Sequence, residues 1–138
     1  MRASRDGFNS LPIFGRQTRS DFDWREYLEL AKALAGMQAA GYSQEAAERS
    51  AVSRAYYAAF GCARNYAQNA LGFTPQAGSE DHRRLREHFR QQGLLRLASD
   101  LNRLRAWRNA CDYEGTQLSN YVRVGIQLAS TIIQECQP

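Results

Sequence analysis

Lysine is almost missing from this chain: of its 18 basic residues only Lys32 is lysine, and the other 17 are arginine. No stretch approaches eighteen consecutive apolar residues, although hydrophobic residues make up 43% of the total, so no membrane span is expected. The arginine-bearing amino terminus is followed by neither an apolar run nor a small-residue cleavage site, and export is not expected. Cysteine is sparse. Cys62, Cys111 and Cys136 are odd in number and scattered, which argues against a disulfide framework or a zinc site. They read as small reduced hydrophobes in a cytoplasmic protein. There are two histidines, His82 and His88, and the acidic residues show no metal-ligand grouping, so neither a metal centre nor a cofactor is expected. A glycine-rich phosphate loop, a serine elbow and an EF-hand spacing are all lacking.

What remains is helical periodicity. At 138 residues the chain makes one domain that buries about two-thirds of its unfolded surface. Residues 1–20 mix Gly, Pro, Ser and Arg with little periodicity and are expected to form a flexible N-terminal arm, leaving residues 21–138 as the helical domain. Asp21 or Asp23 is placed to cap a first helix over about 24–39, which Gly41 ends. A long second helix starts near Ser43 and runs to about 70, with an alanine-rich stripe that lets another helix approach closely. Ser79 is a plausible cap for a short helix over 80–90, Gly93 marks a break, and Gly115 closes a helix over 94–113. A last helix occupies 118–136. Four substantial helices and one short one, joined by brief loops, predict an all-α, antiparallel four- to five-helix bundle.

One residue breaks the pattern of its own helix. Leu97, Leu101, Leu104, Arg108 and Cys111 recur at helical spacing and predict a single buried stripe with Arg108 inside it. A guanidinium cannot lose its charge to enter an interior, so it needs a carboxylate or a wet cleft. Asp112 lies one turn on. Asn109 adds an amide and Tyr113 a phenol, while Arg54, beside Tyr57 on the long helix, is the best candidate to approach from across the interface, with Ser53 adding a hydroxyl. An Arg–Asp pair of this kind can simply knit two helices or line a dimer seam; it can equally hold a ligand. The charge favours a ligand or an acidic partner, since eight arginines between Arg83 and Arg108 stand against only Glu87 and Asp100. Metal-independent RNA cleavage needs an acid–base group beside such a cation, and only His82 and His88 are available for that role.

Two segments carry a family resemblance. Ser53-Arg54-Ala55-Tyr56-Tyr57-Ala58-Ala59-Phe60 resembles the SRAYYAAF stretch of the HEPN family of small helical bundles, and Arg108-Asn109-Ala110-Cys111-Asp112-Tyr113 resembles its RxxADY variant with Cys in place of Ala. Asp81-His82 falls where relatives often carry a Thr-His pair. The likeness spans about residues 24–135. It implies a four- or five-helix bundle, commonly a homodimer, often paired with a nucleotidyltransferase-like protein and often serving toxin–antitoxin or phage-defence systems. Active members are metal-independent ribonucleases with Arg, four to six residues, then His. Here Arg108 matches the arginine, but the histidine positions hold Tyr113, Glu114 and Gly115. The expectation is therefore a binding or regulatory module contacting RNA, a nucleotide or a partner protein through Arg108. The alternatives are an endoribonuclease in which His82 or His88, from the same or another subunit, supplies the missing group, and a purely structural protein-interaction subunit.

Overall fold

The computed structural model describes residues 22–37, 41–114 and 119–137. The expected arm at 1–20, the capping choice at Asp21, the stop at Gly115 and the start at Leu118 lie outside these residues. Among the described residues the chain is entirely helical: α1 (Arg25–Ala35), α2 (Gln44–Ala70), α3 (Asp81–Gln91), α4 (Leu95–Tyr113) and α5 (Ser119–Glu135). None of these helices is long and apolar enough to cross a membrane.

α2 is the spine, touching each of the other four helices. Its buried face is built largely from alanine (Ala47, Ala51, Ala55, Ala58, Ala59, Ala63 and Ala67), so neighbouring backbones come close and Tyr56 and Phe60 fill the spaces between them. The closest approach is at Gly61, where a Cβ would lie 2.1 Å from the indole of Trp24. Ser43 caps α2 as expected, its hydroxyl accepting from the Ala46 amide at 3.0 Å. Asp23 accepts from the Arg25 amide at the start of α1.

α1 stops at Ala35, short of the expected 39. Gly36 lies inside the apparent periodic run, and the Gly36 and Met37 amides turn back to the Ala33 and Leu34 carbonyls, tightening the last turn. Ser79 does not cap α3, whose N-cap residue Glu80 makes no side-chain capping bond. The work is done by Asp81. Its carboxylate is buried, accepts from the Gln76 and Ala77 amides at 2.9 Å and pairs with Arg84 at 2.7 Å, clamping the preceding loop onto the helix. Burial pushes the Asp81 carboxyl up, but those amides and Arg84 outweigh it, and the net shift is downward. Gly93, with φ of +80°, ends α3 in a Schellman turn: the Leu94 amide reaches the Phe89 carbonyl at 2.8 Å and the Gly93 amide reaches Arg90 at 3.0 Å. At the far end of α4, Arg49 of α2 donates to the Cys111 and Glu114 carbonyls at 2.8 and 2.6 Å, a cation well placed at a helix C-terminus.

The glycine under Trp24 gives a direct test of this packing. Gly61→Ala should lower the unfolding free energy by about 1–3 kcal/mol through overpacking, read as a lower urea midpoint. A change below about 0.5 kcal/mol would mean that the indole is not seated on α2.

Candidate functional site

Three helices each turn one face to the same point. On α4, Arg105, Arg108 and Asp112 follow one another at steps of three and four; on α2, Tyr56 and Tyr57 lie three and four residues after Ser53; on α3, His82 and Arg86 are one turn apart. The buried stripe of α4 is as expected, with Leu97, Leu101, Leu104 and Cys111 buried and the Arg108 side chain only 12% exposed.

Arg108 is held by aromatic faces more than by its carboxylate. Its guanidinium carbon sits 5.2 Å from the Tyr56 ring centre and 5.4 Å from that of Tyr57, and it donates to the Tyr57 hydroxyl at 3.0 Å. Asp112 approaches only to 3.8 Å and also accepts from the Ser53 hydroxyl at 3.4 Å. Arg108 Nε is buried with no hydrogen-bond partner, and so is Nε of Arg105. The pair lies within one helix, at i and i+4, and these residues join α4 to α2 through Tyr57 and Ser53 instead. The pair is loose, and the Asp112 side chain keeps 28% of its surface in solvent.

His82 joins the cluster from within the same chain. Its ring stacks on Phe60 with centres 4.0 Å apart, and its Nδ1 is hydrogen-bonded to the buried Tyr56 hydroxyl. Burial lowers the His82 pKa to about 4, with Arg108, Arg105 and Arg86 adding to the effect and Asp81 opposing it. The imidazole is neutral at pH 7. Burial likewise pushes the Tyr56 phenol above its ordinary range, so it stays protonated and remains a donor. Arg86 donates to the His82 carbonyl at 3.0 Å. Among the described residues neither Arg86 nor Arg105 has an ion-pair partner.

The other expected residues are placed differently. His88 lies away from Arg108: its Nε2 donates to the Leu71 carbonyl at 2.7 Å and its ring leans on Phe73, so it anchors the loop before α3. Arg54 stacks on Tyr27 at 4.9 Å and on Tyr57 at 5.1 Å; it reaches the cluster through the Tyr57 ring, and Ser53 is the α2 residue that bonds Asp112. Asn109 is half-buried and Tyr113 is 78% exposed, and neither has a hydrogen-bond partner among the described residues. Tyr56, Arg86 and Arg105 were not singled out by the sequence. Their signal was there, since each lies one helical turn from a residue that was.

The remaining chemistry is inert. Cys62 and Cys136 line a cavity of about 500 Å³ with Trp24 and Tyr66, and burial raises their thiols to about 11 and about 12. All three cysteines are free. Among the described residues no group of three or more His, Cys, Asp or Glu is placed to hold a metal ion.

The His82 environment predicts a pH dependence. Because the folded pKa lies below the unfolded value of 6.5, the unfolded chain binds the extra proton between them, and stability is lost as pH falls from 6.5 toward 4. The Asp81 contribution is lost only below its own unfolded value of 3.8, outside that window. An NMR titration should give His82 a midpoint near 4, and Arg108→Gln should move it upward. A midpoint near 6.5 in the intact protein would show that the imidazole is not enclosed by these cations. No family model, curated protein or solved structure matches the chain, so its function is read from these side chains.

Proposed function

We propose that this chain is a HEPN-type helical bundle acting as a binding module for phosphate-bearing ligands, RNA or nucleotide, with Arg108 as the phosphate-facing cation. The observation that carries this is the state of Arg108: largely buried, loosely paired, with Nε unpartnered, and flanked by two more arginines without carboxylates. The family assignment draws support from where its two segments lie. Ser53–Phe60 on α2 and Arg108–Tyr113 on α4 face each other, joined by the Arg108–Tyr57 and Ser53–Asp112 contacts. A homodimer and a nucleotidyltransferase-like partner belong to the same assignment, as does a place in a toxin–antitoxin or phage-defence system.

The presence of His82 in the cluster favours a second reading, a metal-independent endoribonuclease. The ring is poorly suited to be its general base: Nδ1 is occupied by Tyr56, and a pKa of about 4 gives little driving force for proton abstraction at pH 7. Binding is therefore the better supported role.

Fluorescence anisotropy with labelled single-stranded RNA in chelator tests both. Arg108→Gln should weaken binding at least about tenfold while the far-UV spectrum and oligomeric state are kept. Undiminished binding by that variant would sink the phosphate-facing role. Cut RNA in the same tubes, abolished by either His82→Ala or Arg108→Gln, would move the assignment to the enzyme.

A further inference from the structure

The charge count of the cluster narrows the kind of phosphate it can take. Arg86, whose guanidinium meets the His82 carbonyl, Arg108, against the Tyr56 and Tyr57 rings, and Arg105, one turn before Arg108 on α4 and felt by His82, are three fixed positive charges around the His82–Tyr56 pair; the one carboxylate among the described residues that is in ion-pair reach of any of them is Asp112. Asp81, next to His82, is already taken by Arg84 and two backbone amides. His82 is neutral, with its Nδ1 engaged by the Tyr56 hydroxyl. The Tyr57 hydroxyl accepts from Arg108 and keeps its own proton to give. The guanidinium groups and the Tyr57 hydroxyl are donors, Asp112 is the one carboxylate among them, and the local balance is two positive charges.

Such an arrangement opposes itself when empty. The Arg86 pKa is lowered by burial and by neighbouring Arg105, a sign that like charges are crowded. Arg105 makes no hydrogen bond among the described residues, and its Nε is buried. An incoming anion supplies what is missing.

We infer that the cluster selects a dianionic phosphate monoester over the monoanionic diester of an internal RNA linkage, with Arg105 and Arg86 as the residues that set this preference. A phosphate monoester carries close to two negative charges at neutral pH and three acceptor oxygens, which matches the balance and the donors present. A diester carries one charge and leaves one guanidinium uncompensated. The inference rests on the phosphate-binding reading above and adds the ligand's charge class to it.

The test uses the full chain and one RNA sequence made with a 5′-phosphate and with a 5′-hydroxyl, alongside AMP and adenosine, in chelator at constant salt. The phosphorylated RNA should bind at least about tenfold more tightly than its hydroxyl twin, with AMP exceeding adenosine if a free nucleotide also fits. Arg105→Gln should erase the difference without lowering Tm, because it removes like-charge crowding and no partner. Arg96→Gln, the same charge loss at an exposed position on α4 outside the cluster, should leave the preference intact. AMP binding as well as the phosphorylated RNA makes the free nucleotide the source; preference confined to RNA makes it a strand end. Equal, Arg108-dependent binding of the two RNAs overturns the monoester preference and leaves the phosphate-binding reading standing. If none of the four ligands binds, both fall.

Discussion

A guanidinium that cannot give up its charge has been placed on the buried face of α4, and much of the surrounding structure follows from how that is accommodated. The interior around Arg108 supplies two tyrosine faces, one phenolic oxygen and a carboxylate at 3.8 Å. Aromatic rings can do this at close range only because α4 packs directly against α2. Arg49, one turn before Ser53 on α2, then fixes the last turn of α4 by donating to the Cys111 and Glu114 carbonyls. That turn carries Asp112. The position of the single counter-charge is set by a second, more conventional arginine.

The third helix is brought in by a different device. Asp81 is buried because it satisfies two loop amides and Arg84 together, and its neighbour His82 is thereby delivered to the ring of Phe60 and the hydroxyl of Tyr56. The Schellman turn at Gly93 fixes the other end of α3 and sends the chain directly into α4. α3 has little apolar surface of its own, with Leu85 and Phe89 as its buried hydrophobics. Its orientation depends on polar closure at one end and a glycine at the other.

These same features explain what could be read from the sequence and what could not. The five helices, the Ser43 cap, the alanine stripe and the inward position of Arg108 follow from periodicity and cap chemistry, which are local. The end of α1 was misjudged because Gly36 is masked by the apolar run around it. The α3 start was assigned to Ser79, since a serine before a helix is the commoner cap; a buried aspartate that bonds backwards to a loop has no equally simple signature. Membership of the polar cluster is non-local. Nothing in the spacing of His82 and His88 tells which of the two meets Arg108, because that depends on the rotation of α3 about its axis. Arg105 and Arg86 were visible only as members of a basic run, whereas Asn109 and Tyr113, adjacent in sequence to the key arginine and aspartate, fall on other faces of α4 or at its exposed end.

The electrostatics of the cluster also bear on why a neutral histidine would sit among arginines. A protonated imidazole there would add a fourth like charge, so the cations and burial together keep it unprotonated, and its hydrogen bond with Tyr56 selects one tautomer. A residue tuned for proton transfer needs a pKa near the working pH, and this environment drives it away from that value. The crowding that makes His82 a poor base is the same crowding that leaves Arg105 and Arg108 with unmet donors. On the proposed reading, a bound anion would relieve this crowding and so lower the energy of the occupied state relative to the empty one.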